Sequence, residues 1–262
     1  MSEIERIRSL DDEIFEEFQE YFPKIATSNF IEQYPKTYYI IQMLDTSSTF
    51  IKNSLLDSCE SDDYYGAKIL YRCQIEHFMR FKYVFFNWSH KNNDDFAKHY
   101  LEYCDAREVI DSLRSQVSEQ QLYDPTFKIM DWDVLLQKHP SFRNKTRREV
   151  ENETQKYTFK HIVHFLNSHL KTDGSGTTQF LGKFIAEYSN LSSFVHGGTK
   201  SYQEILSMQS DEDRHSEYGR ICGLSFQMST TLKLFSLLMY VQTDKEKFGT
   251  HYLNVNAIFK RV

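Results

Sequence analysis

The sequence predicts an all-α protein, an antiparallel helical bundle with an irregular, charged central insertion. Three observations carry that prediction. Pro occurs 4 times and Gly 9 times in 262 residues, too few for the recurrent turns of a β-protein. Apolar residues recur at helical spacing over long segments, and capping or stopping residues stand at the ends of those segments.

Residues 4–22 read as an acidic amphipathic helix that Pro23 should end. Residues 36–58 follow Pro35, a favoured first-turn residue, and place Tyr39, Ile40, Met43, Leu44, Phe50, Ile51 and Leu55 on one broad face. Ser61, Asp62 and Asp63 offer capping oxygens to a helix over 63–87 that is apolar nearly all round, which predicts a central position. Asn92, Asn93 and Asp94 should cap a helix over 95–117 with a partly exposed face.

Periodicity weakens over 118–158, where Pro125, Pro140 and dense charge predict an exposed insertion. It returns at 159–170. The turn Asp173-Gly-Ser-Gly-Thr-Thr then leads into a helix over 179–196, which Gly197-Gly198 should stop. After a loop, 213–241 reads as a long apolar helix, and 242–262 as a tail whose structure the pattern leaves open. With no internal repeat or linker, one domain over 1–262 is expected.

Composition limits function. A formal net charge of −6 gives no general attraction to phosphate backbones, so nucleic-acid binding needs a local basic patch. Cys59, Cys73, Cys104 and Cys222 are scattered, and nothing resembling a signal peptide precedes the acidic first helix, so reduced thiols and a cytoplasmic location are expected. The apolar run 232–241 is interrupted by Lys233 and Ser236 and is shorter than a bilayer span, so no membrane partner is expected.

Two segments stand out chemically. In the apolar helix, Arg72, Glu76 and Arg80 are spaced four apart and form an ionic ladder on one face. About 110 residues later, Tyr188, Ser189, Ser192 and His196 gather hydroxyls and an imidazole on one side of a helix, and that stripe is expected to face Arg72 and Glu76.

An Arg-x-x-x-Glu helix followed by Tyr188-Ser-Asn-Leu-Ser-Ser-Phe-Val-His-Gly197 resembles the HEPN superfamily, in particular its uncharacterised bacterial branches. The resemblance covers about residues 36–241, the insertion apart. It implies a helical bundle that dimerises and cleaves RNA without a metal or cofactor, in toxin-antitoxin or antiphage modules. The family has an Arg, then four to six intervening residues, then a His, and the matching positions here hold Ser189, Asn190 and Leu191. Only His196 maps onto that pair. Asn190 keeps a polar side chain, and Arg72 is the candidate cation from another helix. A histidine, which titrates near neutrality, would take the 2′-hydroxyl proton, and an arginine would stabilise the charge growing on phosphate. RNA, a second copy of the chain and a partner protein of such a module are thus the expected partners.

Two other readings fit the same residues: a catalytically inactive HEPN-like interaction module, and a small-molecule or nucleotide sensor whose pocket is the polar cluster. Arg72, Glu76, Tyr188 and His196 would also make sense as a buried network that fixes helix register. Elsewhere, Arg143, Lys145, Arg147 and Arg148 form the one basic run suited to RNA phosphates, although Glu149, Glu151 and Glu153 follow it. His161, His164 and His169 lack a further ligand at metal spacing and read as a solvated face. The Asp173 turn lacks the Lys of a phosphate loop, and Cys73 reads as a core residue.

Overall fold

The computed structural model describes residues 3–170, 177–208 and 210–261, without the side chains of 170, 177–181 and 183. Among the described residues there are helices and turns and no strand. In order these are α1 Glu3–Ile25, α2 Asn29–Gln33, α3 Pro35–Glu60, α4 Tyr64–Lys91, α5 Asp95–Tyr123, α6 Trp132–Lys138, a 3-10 turn Pro140–Asn144, α7 Arg147–Gln155, α8 Phe159–Leu170, α9 Thr177–Val195, α10 Thr199–Ser207, α11 Asp211–Thr243 and α12 Lys245–Phe259.

Helix α4 is the hub. It packs against α3, α11, α9, α8 and α5, and its Tyr71, Ile75, Phe78, Phe81 and Trp88 are all buried. Burying a side chain such as Phe78 stabilises the fold by roughly 2 kcal/mol, which is why a rod apolar on several faces ends up at the centre. On one side α3 and α11 cover it, with α1 and α12 behind α11; on the other lie α8 and α9. Two buried lysines are paired: Lys52 reaches Asp11, and Lys233 lies 3.1 Å from Asp45.

The caps explain most boundaries. Asp63 accepts from the Gly66 amide at 2.9 Å and starts α4, and Asn92 ends it with φ of 49°. Asp94 caps a different helix from the one expected. Its carboxylate accepts the Lys36 and Thr37 amides at 3.0 and 2.8 Å, so it closes the start of α3 from across the bundle. Helix α1 runs past Pro23 to Ile25, because a proline in the last turn forfeits only one backbone bond.

The segment 118–158 holds more helix than its weak pattern suggests. Helix α5 continues to Tyr123, and Leu135, Phe142, Val150 and Tyr157 anchor the rest by their burial, while Arg143, Lys145, Arg147 and Arg148 stay exposed. Thr146 and Glu149 form a reciprocal capping box at the start of α7. The C-terminal stretch is also helical, with Phe248, His251 and Val255 of α12 buried. By length and composition α11 meets the requirement for a bilayer span, with mean hydropathy 1.2 over its best window, and 67% of that window is buried inside the bundle, as in a core helix.

Candidate functional site

The ladder on α4 meets the stripe on α9. The Arg72 guanidinium donates to the Tyr188 hydroxyl at 2.7 Å and lies over the Tyr188 ring, 4.4 Å from its centroid. Its Nε reaches Ser192 at 3.4 Å. The Tyr188 hydroxyl in turn donates to Glu76 at 3.3 Å, and Arg80 grips Glu76 at 2.8 Å while donating to the Tyr157 carbonyl at 3.2 Å. Phe159 of α8 stacks on the outer face of Tyr188 with centroids 3.8 Å apart. The result is a continuous, half-buried polar seam from α9 through α4 to the end of α7.

Each charge in the seam is answered. Burial opposes ionisation of Glu76, but the bonds and charges of Arg80 and Arg72 outweigh it and hold the carboxyl below its ordinary range. Burial and the Glu76 charge push the Tyr188 hydroxyl up, so it stays a neutral donor. The seam therefore has little capacity to exchange protons itself. Its evident physical role is to bind α9 to α4.

His196 is placed differently. It follows α9 directly, is exposed, and makes no side-chain hydrogen bond with any described residue. Asn190 is likewise exposed and unbonded among the described residues. The structure thus brings Arg72, Glu76, Tyr188 and Ser192 together and leaves His196 one turn beyond them, on the same helix face as Ser192. The end of α9 is nonetheless well held. Tyr65 donates to the Phe194 carbonyl, and Gly197 turns the chain with φ of 61°.

The other candidates disperse. Lys145 bonds to the Tyr103 hydroxyl and Arg147 pairs with Glu151 at 3.1 Å, so two of the four basic residues are committed to the fold. Arg143 and Arg148 point to solvent. His161 bonds to Thr158 at 2.6 Å, and His169 stacks on Phe165 with centroids 4.0 Å apart. Residues 173–176 of the glycine-rich turn lie outside the described residues. Burial pushes the Cys73 thiol up, away from nucleophilic reactivity.

No family model, curated protein or solved structure matches the chain. The site must be read from its own geometry. Sequence reasoning missed two of its features. One is α10, whose Tyr202 and Leu206 are 62% and 67% exposed. The other is a cleft of about 1000 Å³ between α3, α4 and α5, which Arg80 reaches from the far end of the seam. The signal for α10 was the i, i+3, i+4 spacing of Tyr202, Ile205 and Leu206. The cleft had none, because its residues come from five separate stretches of chain.

Proposed function

We propose that the chain is a HEPN-like protein of a bacterial defence or toxin module that cleaves RNA without a metal, with His196 as general base and Arg72 as the phosphate-facing cation. One observation carries the reading. Arg72 reaches Ser192 through Nε at 3.4 Å, and an exposed and uncommitted His196 follows four residues later, about 6 Å of helix rise further along α9. A phosphodiester lying along the end of α9 would meet both groups. In the step, an imidazole nitrogen takes the 2′-hydroxyl proton, the oxygen attacks the adjacent phosphorus, and the 5′-oxygen leaves with a proton from water, giving a 2′,3′-cyclic phosphate. Arg72 offsets the extra charge on the phosphoryl oxygens.

The test is cleavage of single-stranded RNA by purified protein in EDTA. His196→Ala should remove cleavage while leaving the melting temperature unchanged, since the imidazole has no bond to lose among the described residues. Arg72→Lys should lower the rate while keeping the fold. Full cleavage by folded His196→Ala protein would eliminate the assignment.

The exposed apolar side chains of Tyr202 and Leu206 on α10 favour a second reading, an inactive interaction module that docks a second copy through α10. A wild-type dimer without nuclease activity, made monomeric by Leu206→Glu, is the result that reading expects. A monomer at micromolar concentration in sedimentation would count against it.

A further inference from the structure

We propose that the cleft between α3, α4 and α5 binds a nucleoside phosphate. Its volume of about 1000 Å³ fits a ligand of that size. Three kinds of uncommitted group line it. The first is cationic. Lys98 has only a loose 3.7 Å contact with Asp95, Lys36 gives its amide to Asp94 while its ammonium has no partner among the described residues, and Arg107, though paired with Asp111 through Nε, keeps Nη1 buried without a hydrogen bond among them.

The second is imidazole. His139 is only 8% exposed, and its Nε2 faces the Asp105 carboxylate at 2.9 Å, so it is already answered there. His77 spends Nδ1 on the Cys73 carbonyl at 3.0 Å and keeps Nε2 uncommitted. The third is an aromatic face. Tyr39, 58% exposed, has neither a ring partner nor a hydrogen bond among the described residues.

Four carboxylates share the cleft, and most are already answered. Asp105 is held by Lys138 at 2.7 Å, Asp111 by Arg114 at 3.2 Å and by Arg107 at 3.4 Å, and Glu102 accepts from Ser141. Glu108 has no partner among the described residues and suits hydroxyl or amino donors. An anion, a flat ring and such donors occur together in a nucleoside phosphate. Inorganic phosphate supplies the first alone. The binding does not depend on the ribonuclease reading, because His196 and Ser192 lie outside this lining.

The experiment is calorimetric titration of the full chain with AMP, GMP, CMP, UMP, ATP and, separately, inorganic phosphate. At least one nucleotide should bind more tightly than about 1 mM, and inorganic phosphate much more weakly. Tyr39→Ala should weaken that nucleotide about tenfold, as loss of a stacked base does, and Lys36→Ala should weaken it and flatten its salt dependence. Both side chains are exposed, so melting temperatures should be unchanged. Absence of nucleotide binding at millimolar concentration overturns the proposal. So does unaltered affinity in Tyr39→Ala, or inorganic phosphate binding as tightly as the best nucleotide.

Discussion

Replacing Tyr188 by phenylalanine removes one oxygen from the seam between α4 and α9 and leaves the rest in place. The ring keeps its 3.8 Å stack on Phe159 and its position under Arg72, so packing is nearly conserved. What goes is the acceptor that Arg72 uses at 2.7 Å and the donor that Glu76 uses at 3.3 Å. A hydrogen bond to a charged group contributes about 1.5–3 kcal/mol, but the second bond is long and the seam is only half-buried. The expected cost is therefore about 1–2 kcal/mol. Urea unfolding measures it, and amide exchange should show Leu191 and Phe194 exchanging faster while the α3 and α11 amides stay protected. A variant within about 0.3 kcal/mol of wild type would refute the claim that this hydroxyl ties α9 to α4.

Two further perturbations probe the bundle. Asp94→Ala strands the Lys36 and Thr37 amides at the start of α3 and should cost about 1–3 kcal/mol in urea unfolding; a loss below about 0.5 kcal/mol would contradict the cross-bundle cap. Lys82 lies over the Phe78 and Phe235 rings with no carboxylate partner among the described residues, and burial pushes its ammonium down to about 8. Its folded value is below the unfolded one of about 10.4, so the unfolded chain binds more protons between them and stability rises with pH from about 8 to 10. The full gap corresponds to ~3 kcal/mol, and losing the ring contacts returns part of it, so Lys82→Met should stabilise the fold by about 1–2 kcal/mol at pH 7. The wild-type and variant stabilities should then converge as pH rises to 10. Parallel pH curves would show that this lysine is not desolvated.

The fold was legible where one signal acted alone. Continuous apolar residues marked α4 as the hub, and Gly197-Gly198 marked the stop of α9, with the left-handed φ at Gly197 that favours glycine. It was less legible where partners come from afar. Asp94 sits where it should cap α5 by sequence, yet its carboxylate serves α3, 57 residues earlier for Thr37. For α7 and α12 the signals were present, Thr146-x-x-Glu149 in one and Phe248, His251 and Val255 in the other, but each is short beside the charge around it. In the site, the i, i+4 ladder predicted that Arg72 and Glu76 share a face and need partners. It did not predict Phe159, whose contact with Tyr188 depends on how α8 crosses α9.

The seam also explains how His196 can be exposed and yet fixed. The last turn of a helix ordinarily frays, since its carbonyls lack intrahelical partners. Here the Phe194 carbonyl is taken by Tyr65 of α4, and the Gly198 amide closes on the Ser193 carbonyl at 2.8 Å. The Ser193 hydroxyl accepts the Ser201 amide at 2.9 Å and so ties the start of α10 to the end of α9. Gly198 is part of the lock, because a Cβ there would lie 2.6 Å from the Ser193 hydroxyl and break that contact. Helix α10 is anchored in turn by Glu204, which accepts from Tyr64 at 2.6 Å and pairs with Lys68 at 2.8 Å. One turn below, Arg72 holds Ser192 and Tyr188. The end of α9 is thus gripped from α4 and α10 by groups that leave the imidazole free. If His196 is the general base proposed above, a backbone held in place before substrate arrives would lower the entropy lost in reaching the transition state.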